Sequence, residues 1–426
     1  MKRIAGLALW IGLLLVGPIA LAGPSDSDVE TEEDLEEQTM TGRRIAPVDL
    51  GSQTGEQPEG TLLTADELEE ARNRAYPARV YRGAKVLQME VEFVGRVWQA
   101  VEAIYLRDYK KANTDFMSIA RDYKGSGVGA AGRALVWQAL MMENFDFRYE
   151  DQYRLSFKQA KRELEESLLS PGNEGWEEFV MGGILGVDSI HSMRRGEYLS
   201  AFSKAVEALK RVRRSRELLP DFKDALVGDG MYNYWRTVVA MQSRLLPDLG
   251  DDRALGISQL LESEREAIFL GPAITLGLTF TWMEEGDMKR ALGSALKNRQ
   301  RYPDNVINNL VVGRIYLYMR KYEASEKSYL KVLSVDPANR QVHYYLTTLY
   351  LRRRAFEKAE EHVNLYLAFN DLSDSYRAAA LFKKGEIYYR QKDYAGAEPL
   401  YREAWRVDRL KRAKMRLDRI KELEKG

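Results

Sequence analysis

A 34-residue period near the C-terminus restricts the fold of this chain more than any other feature. Arg301-Tyr-Pro-Asp-Asn305 and Val335-Asp-Pro-Ala-Asn339 place Pro303 and Pro337 34 positions apart. With these prolines as unit ends, the register gives contiguous units at 272–305, 306–339 and 340–373 and, after four extra residues, a fourth at 378–411. From about Ala78 onward, apolar residues recur at three- and four-residue spacing in segments of 12 to 18, as amphipathic helices require. Short breaks separate the segments, among them Lys124-Gly-Ser-Gly127, Ser170-Pro-Gly-Asn173, Pro247-Asp-Leu-Gly250 and Tyr302-Pro-Asp-Asn305. The pattern predicts successive antiparallel helix hairpins. A hairpin has two apolar faces and buries only one internally, so neighbours must stack, which is the logic of a solenoid.

Residue by residue, the units resemble the tetratricopeptide repeat, whose pattern runs from a Leu-Gly pair and a Tyr in the first helix to an Ala and an aromatic in the second, closed by Pro. In 306–339, Val312 and Gly313 take the Leu-Gly slot, Tyr316 the first aromatic, Tyr322 the turn, Tyr329 the second aromatic and Pro337 the close, with Ser325 replacing Ala. In 340–373, Leu346, Tyr350, Phe356 and Ala359 fit, while Thr347 replaces Gly and Asp371 replaces Pro. Gly385, Tyr388, Tyr394, Ala397, Tyr401 and Ala404 mark the last unit, with Arg409 in place of Pro; 272–305 keeps Leu278, Trp282, Ala291 and Pro303. A small residue in the first helix lets the second cross closely, aromatics fill the gap between hairpins, and Pro ends a helix. The resemblance implies an all-α, right-handed superhelical solenoid of antiparallel hairpins, with 412–426 as a charged capping helix.

Upstream the pattern decays. Arg107-Asp-Tyr-Lys-Lys-Ala112 with Phe116, and Arg195-Gly-Glu-Tyr-Leu-Ser-Ala201 with Ala205 and Ala208, repeat the turn and second helix, so 78–271 is read as divergent hairpins of the same kind. Gly228-Asp-Gly-Met-Tyr-Asn-Tyr234 and Gly250-Asp-Asp-Arg-Ala-Leu-Gly256 loosely resemble the middle of Iml2-type helical proteins, a likeness from which no function is carried across.

Residues 1–22 read as an export signal: Lys2 and Arg3, an uncharged apolar run from Ile4 to Val16, then Gly17, Pro18 and the small-residue motif Ala20-Leu-Ala22. The alternative is an uncleaved N-terminal anchor, since Ile4 to Gly23 is long enough to span a bilayer. No later segment is long and apolar enough to do so. Residues 23–77 hold eight acidic and no basic residues between Asp26 and Glu37, then Pro, Gly, Gln and Thr. Such a stretch cannot bury enough apolar surface to offset its ordering entropy and is expected to be a disordered tether. It could also dock on a basic partner or on the chain's own basic clusters. An extracytoplasmic chain without cysteine suits a bacterial periplasm, so the resemblance is to an exported bacterial type.

The 64 basic and 64 acidic residues cancel, which gives no field to steer the molecule onto nucleic acid. The absence of cysteine excludes thiolate sites, and His191, His343 and His362 lie far apart without metal-binding spacing, so no metal or cofactor is expected. Gly127-Val-Gly-Ala-Ala-Gly132 is a formal GxGxxG, but a dinucleotide site needs a strand before it, and Phe116 to Tyr123 reads as helix; a flexible turn between hairpins is the better reading. No phosphate-loop lysine, nucleophile elbow or calcium loop is present, so no enzymatic activity is expected.

In tetratricopeptide proteins the first helices line a concave groove that binds peptides or helices. The resemblance places Phe280, Arg314, Leu317, Tyr318 and Tyr344 along that groove, followed by Leu351, Arg352, Phe382, Tyr389 and Arg390. Such a surface suits an amphipathic or aromatic-bearing segment, with Arg able to hold a carboxylate; alternatively these residues pack on neighbouring hairpins. Because Arg314, Thr348 and Glu386 stand in the Asn-like slot, the carboxylate clamp for chaperone tails is missing. The expected function is a non-catalytic extracytoplasmic scaffold binding a protein partner of the cell envelope, without stable membrane insertion after signal cleavage. The alternative is a periplasmic binding subunit for glycan or another polymer.

Overall fold

The computed structural model describes Val48 and residues 75–170, 172–242 and 250–424. The expected leader at 1–22 and nearly all of the tether at 23–77 lie outside the described residues. Among the described residues there are eighteen α-helices, one 3-10 turn and no strand. The described residues form two compact units, one from residues up to Leu140 together with 149–294, the other from Met141–Arg148 together with the residues from Ala295 onward.

The first unit contains α1 (Ala78–Leu87), α2 (Val91–Tyr105), α3 (Tyr109–Asp122) and most of α4 (Val128–Asn144). It continues through α5 (Glu150–Ser167), α6 (Glu174–Arg194), α7 (Tyr198–Leu218), α8 (Leu226–Gln242), α9 (Arg253–Glu266), α10 (Gly271–Glu284) and the start of α11 (Met288–Arg301). The second unit contains α12 (Val306–Tyr318), α13 (Tyr322–Val335), α14 (Arg340–Arg352) and α15 (Phe356–Leu367). It ends with α16 (Asp374–Arg390), α17 (Tyr394–Asp408) and α18 (Lys411–Leu423).

One turn recurs in both units. Arg107, Gly196, Gly286, Arg320, Arg354 and Lys392 all adopt positive φ between 58° and 78° at the bend between two helices of a hairpin. In each case the next residue's N–H closes back on a carbonyl five positions earlier, as in Asp108 to Ala103, Glu197 to Ser192, Lys321 to Tyr316 and Asp393 to Tyr388, at 2.9 to 3.0 Å. This is the Schellman closure that satisfies the last carbonyls of a helix and reverses the chain in three residues. Its presence at Arg107 and Gly196 shows that the upstream hairpins share the bend of the C-terminal ones.

Close crossing within hairpins is made by small residues facing aromatics. A Cβ on Gly313 of α12 would stand 2.3 Å from the ring of Tyr329 on α13, and one on Gly385 of α16 would stand 2.6 Å from Tyr401 on α17. Successive elements pack on their sequence neighbours. In the second unit α12 also touches α14, and α14 touches α16, so the first helices of the hairpins form one continuous wall. The terminal α18 buries Ala413, Leu417 and Ile420 against Phe382, Tyr401 and Ala404, which covers the last hairpin.

Two polar anchors organise the units internally. In the first, the buried Asp224 carboxylate accepts the N–H groups of Ile268, Phe269 and Leu270 at 2.7 to 2.9 Å, directly before α10. Burial raises its pKa while these three donors oppose the rise. In the second, Arg340 at the start of α14 donates to the carbonyls of Asn144 and Phe145, and Asn339 donates to that of Glu143. Residues 141–148 are thereby tied to a helix nearly two hundred positions away.

The Gly127–Gly132 stretch is not the flexible turn expected from its composition. Gly127 alone sits in the turn, with φ +69°, whereas Gly129 and Gly132 lie inside α4. A Cβ at Gly129 would stand 2.5 Å from the Ala120 backbone, and one at Gly132 would stand 2.1 Å from the Phe116 ring. These glycines permit two helices to cross. The adjoining cleft of about 580 Å³ is lined by Glu90, Lys124 and Glu177 among others.

Candidate partner-binding wall

Phe280 belongs to α10 in the first unit, where it lines an apolar cleft of about 250 Å³ with Gly182, Gly186, Gly228 and Gly277. The other nine expected groove residues lie on first helices of the second unit: Arg314, Leu317 and Tyr318 on α12, Tyr344, Leu351 and Arg352 on α14, and Phe382, Tyr389 and Arg390 on α16. They do not form one exposed surface. Phe280, Leu317, Tyr344, Leu351 and Phe382 are buried, the most exposed of them only 3 % accessible, so they offer almost no area to a ligand in this structure. The helical register gives each side chain's face; what buries it is the neighbouring helix. Tyr344 packs on Tyr366 of α15, and Phe382 lies between Tyr401 of α17 and the Arg412 guanidinium of α18. Arg314, Tyr318, Arg352, Tyr389 and Arg390 are half-buried and remain the accessible part of the wall.

Cations stacked on aromatic faces give this wall its chemistry. The Arg314 and Arg352 guanidiniums lie 5.4 and 5.7 Å from the Tyr318 ring, and Arg314 Nε donates to the Tyr318 hydroxyl at 3.0 Å. Lys383, fully buried, donates to Thr348 Oγ1 at 2.5 Å and sits 4.1 Å from the Tyr344 ring. Arg416 of α18 stacks on Tyr389 at 4.8 Å. Such contacts hold the charge where water is partly excluded, and they orient the donor edges of the guanidiniums.

The buried carboxylate of Glu386 joins the elements of the last hairpin. It accepts from Tyr401 Oη at 2.5 Å and from Arg416 at 2.7 and 3.2 Å, with Arg390 at 3.8 Å. Burial and this carboxylate push the Tyr401 hydroxyl far above its ordinary value. Sequence reasoning named Glu386 and Thr348 only as departures from a clamp, and missed Lys383, Arg412 and Arg416 as wall residues. The signal available was their spacing: Lys383 and Glu386 lie three apart, Arg412 and Arg416 four apart, so each pair shares a helix face.

Hairpin geometry also joins residues that are distant in sequence. His343 and His362 meet with their Nδ1 atoms 3.0 Å apart, and His362 stacks on Tyr350. Burial, reinforced by His362, pulls His343 down to about 4, and burial also lowers His362. In the first unit His191 stacks on Tyr153, contacts Glu150 at 3.3 Å and is pulled down to about 4 by burial against the opposing pull of Glu150. Beside it, buried Asp188 receives Tyr153, Arg154 and Lys204 at 2.7 to 2.9 Å. Every oxygen of this network is engaged by helix-packing partners. No group of three or more His, Asp or Glu among the described residues could hold a metal, and no described helix is long and apolar enough to cross a membrane.

The fold and wall define a class: a stack of helix hairpins built on small-residue and aromatic crossings, whose first helices share one wall. The tetratricopeptide repeat model matches residues 312–375 and 368–406, which covers most of that wall. Among solved structures, yeast Tom70 is similar at 13% identity and TM-score 0.42, over 81% of this chain and 78% of that one. BtubC from P. vanneervenii is similar at 17% identity and TM-score 0.30, over 58% and 91%. The P58(IPK) TPR domain is similar at 13% identity and TM-score 0.24, over 78% and 98%. No curated protein matches the sequence.

Proposed function

We propose that this chain is a non-catalytic scaffold that binds a protein partner through the first-helix wall of its second unit, outside the cytoplasm and within a cell-envelope complex. The observation that carries the reading is the half-buried strip of Arg314, Tyr318, Arg352, Tyr389 and Arg390 on first helices, within the residues that match the repeat model. Its guanidiniums suit carboxylates and its tyrosines suit apolar side chains, the mixture that a peptide or helix supplies. The extracytoplasmic location is supported by the leader-like residues 2–22. Glycan binding is less well supported, because sugars stack on open aromatic faces, whereas Tyr318, Tyr344, Tyr389 and Phe382 each carry a cation on a face.

The test is photocrosslinking in the cell envelope from a probe at Tyr318, compared between the full chain and an R352E/R390E variant. A partner captured by the first and lost in the second supports the proposal. Identical capture by both, at equal protein levels, removes the wall from the function.

A further inference from the structure

We propose that the first-helix wall of the second unit is the docking surface for the chain's own acidic segment, Asp26–Glu37, so that a protein partner must displace it. This inference rests on the wall being the binding surface, and it names that wall's resident occupant.

The second unit segregates its charges. The wall helices α12, α14 and α16, with the terminal α18, carry thirteen Lys and Arg against four Asp and Glu. The second helices α13, α15 and α17 carry five against eight. On α12 and α14 there is no carboxylate at all. Of the four acids, Glu386 is consumed internally by Tyr401 and Arg416, while Asp418 pairs with Lys414 and Glu422 with Arg419 along exposed α18. Among the cations, Arg340 is spent on Asp371 and on the carbonyls of Asn144 and Phe145, and Lys383 is fully buried, so the charge at the surface includes that of half-buried Arg314, Arg352 and Arg390 and of α18, where partial burial weakens its screening by water.

The sequence holds a matching anion. Asp26-Ser-Asp-Val-Glu-Thr-Glu-Glu-Asp-Leu-Glu-Glu37 carries eight carboxylates and no cation, and no other twelve consecutive residues in the chain are as acidic. This segment is opposite in sign to the wall helices and α18, in a chain whose 64 basic and 64 acidic residues balance overall. Covalent linkage settles which anion arrives first. A tethered segment stays with its chain at any dilution, whereas a free partner must compete from solution. Val29 and Leu35 are the only large apolar residues of the segment, so charge dominates what it can recognise.

The experiment uses two full chains: the natural one, and one neutralised by D26N, D28N, E30Q, E32Q, E33Q, D34N, E36Q and E37Q. The probe is a fluorescent synthetic peptide of residues 24–39, and anisotropy is read across a salt series. The neutralised chain should bind the peptide about tenfold more tightly than the natural chain, whose wall is already occupied. Its affinity should fall steeply with salt, and adding R352Q/R390Q should weaken it at least about fivefold while the helical content by circular dichroism stays at that of the natural chain. Equal affinity for both chains, or indifference to R352Q/R390Q, overturns the inference. Partner capture from Tyr318 is measured on the same chains. If capture persists without peptide binding, only the inference falls; if peptide binds but neither chain captures a partner, the scaffold reading falls.

Discussion

Gly313→Ala tests the central packing rule of the repeats. An added Cβ would stand 2.3 and 2.6 Å from two atoms of the Tyr329 ring, where ordinary contact needs at least about 3.4 Å. The ring must retreat by roughly an ångström. It cannot do so freely, since Tyr329 is fully buried and stacks on Tyr345 at 5.7 Å. Overpacking of this kind costs about 1–3 kcal/mol, against a gain of about 1 kcal/mol from replacing a helical glycine by alanine. With so short a contact the cost should approach its upper bound, for a net loss of about 2 kcal/mol. Gly293→Ala on α11 is the control, because nothing lies within 4 Å of its added Cβ, and it should stabilise by about 0.5–1 kcal/mol. Urea unfolding followed by circular dichroism gives the totals, and amide exchange in α12 and α13 assigns the loss to the second unit. Combining Gly313→Ala with Tyr329→Leu should recover about 1–2 kcal/mol relative to the sum of the single changes. If Gly313→Ala stabilises as much as Gly293→Ala, close crossing is not what these small residues provide.

Asp224→Ala leaves three N–H groups, two of them buried, without their acceptor and should cost about 3 kcal/mol, read as faster amide exchange at Ile268, Phe269 and Leu270. Glu386→Ala strands Arg416 and should cost about 3–5 kcal/mol, with α18 exchanging before the hairpins; exchange at the natural rate would refute its joining role. His343 and His191, each held near 4 against an ordinary 6.5, bind protons more readily when unfolded. Their contribution is therefore complete above pH 6.5 and is lost as pH falls from 6.5 toward 4. His343→Phe should flatten the stability profile in that window, and an unchanged slope would refute the assignment.

The hairpin fold was legible because its determinants are local and periodic. Pro303 and Pro337 fall in turns between hairpins, and Gly313 with Tyr329, or Gly385 with Tyr401, are small and large partners at fixed separation. The same logic found the bend at Arg107. What escaped depends on distance in space. His343 and His362 looked unrelated until a hairpin closed them together. Asp224 serves amides more than forty positions on, and Arg340 serves carbonyls 195 and 196 positions back, contacts that no periodicity encodes. The wall was half legible. Register puts Tyr344 and Phe382 on first helices, but their burial is decided by the helices that follow, α15 for one and α17 with α18 for the other. Gly129 and Gly132 misled for a related reason, since a glycine that admits a crossing helix and one that frees a turn are written with the same letter.

The tie between Arg340 and residues 144–145 makes the second unit discontinuous in the gene's order, and this governs its assembly on the ribosome. Repeat arrays ordinarily begin anywhere and extend by neighbours. Here Asn144 must wait until α14 has been synthesised, roughly 10–40 s at ordinary elongation rates. During that interval the 141–148 stretch is a nascent-chain liability, and slowing translation between the two should lower the yield of folded protein more than the same delay placed after Arg352.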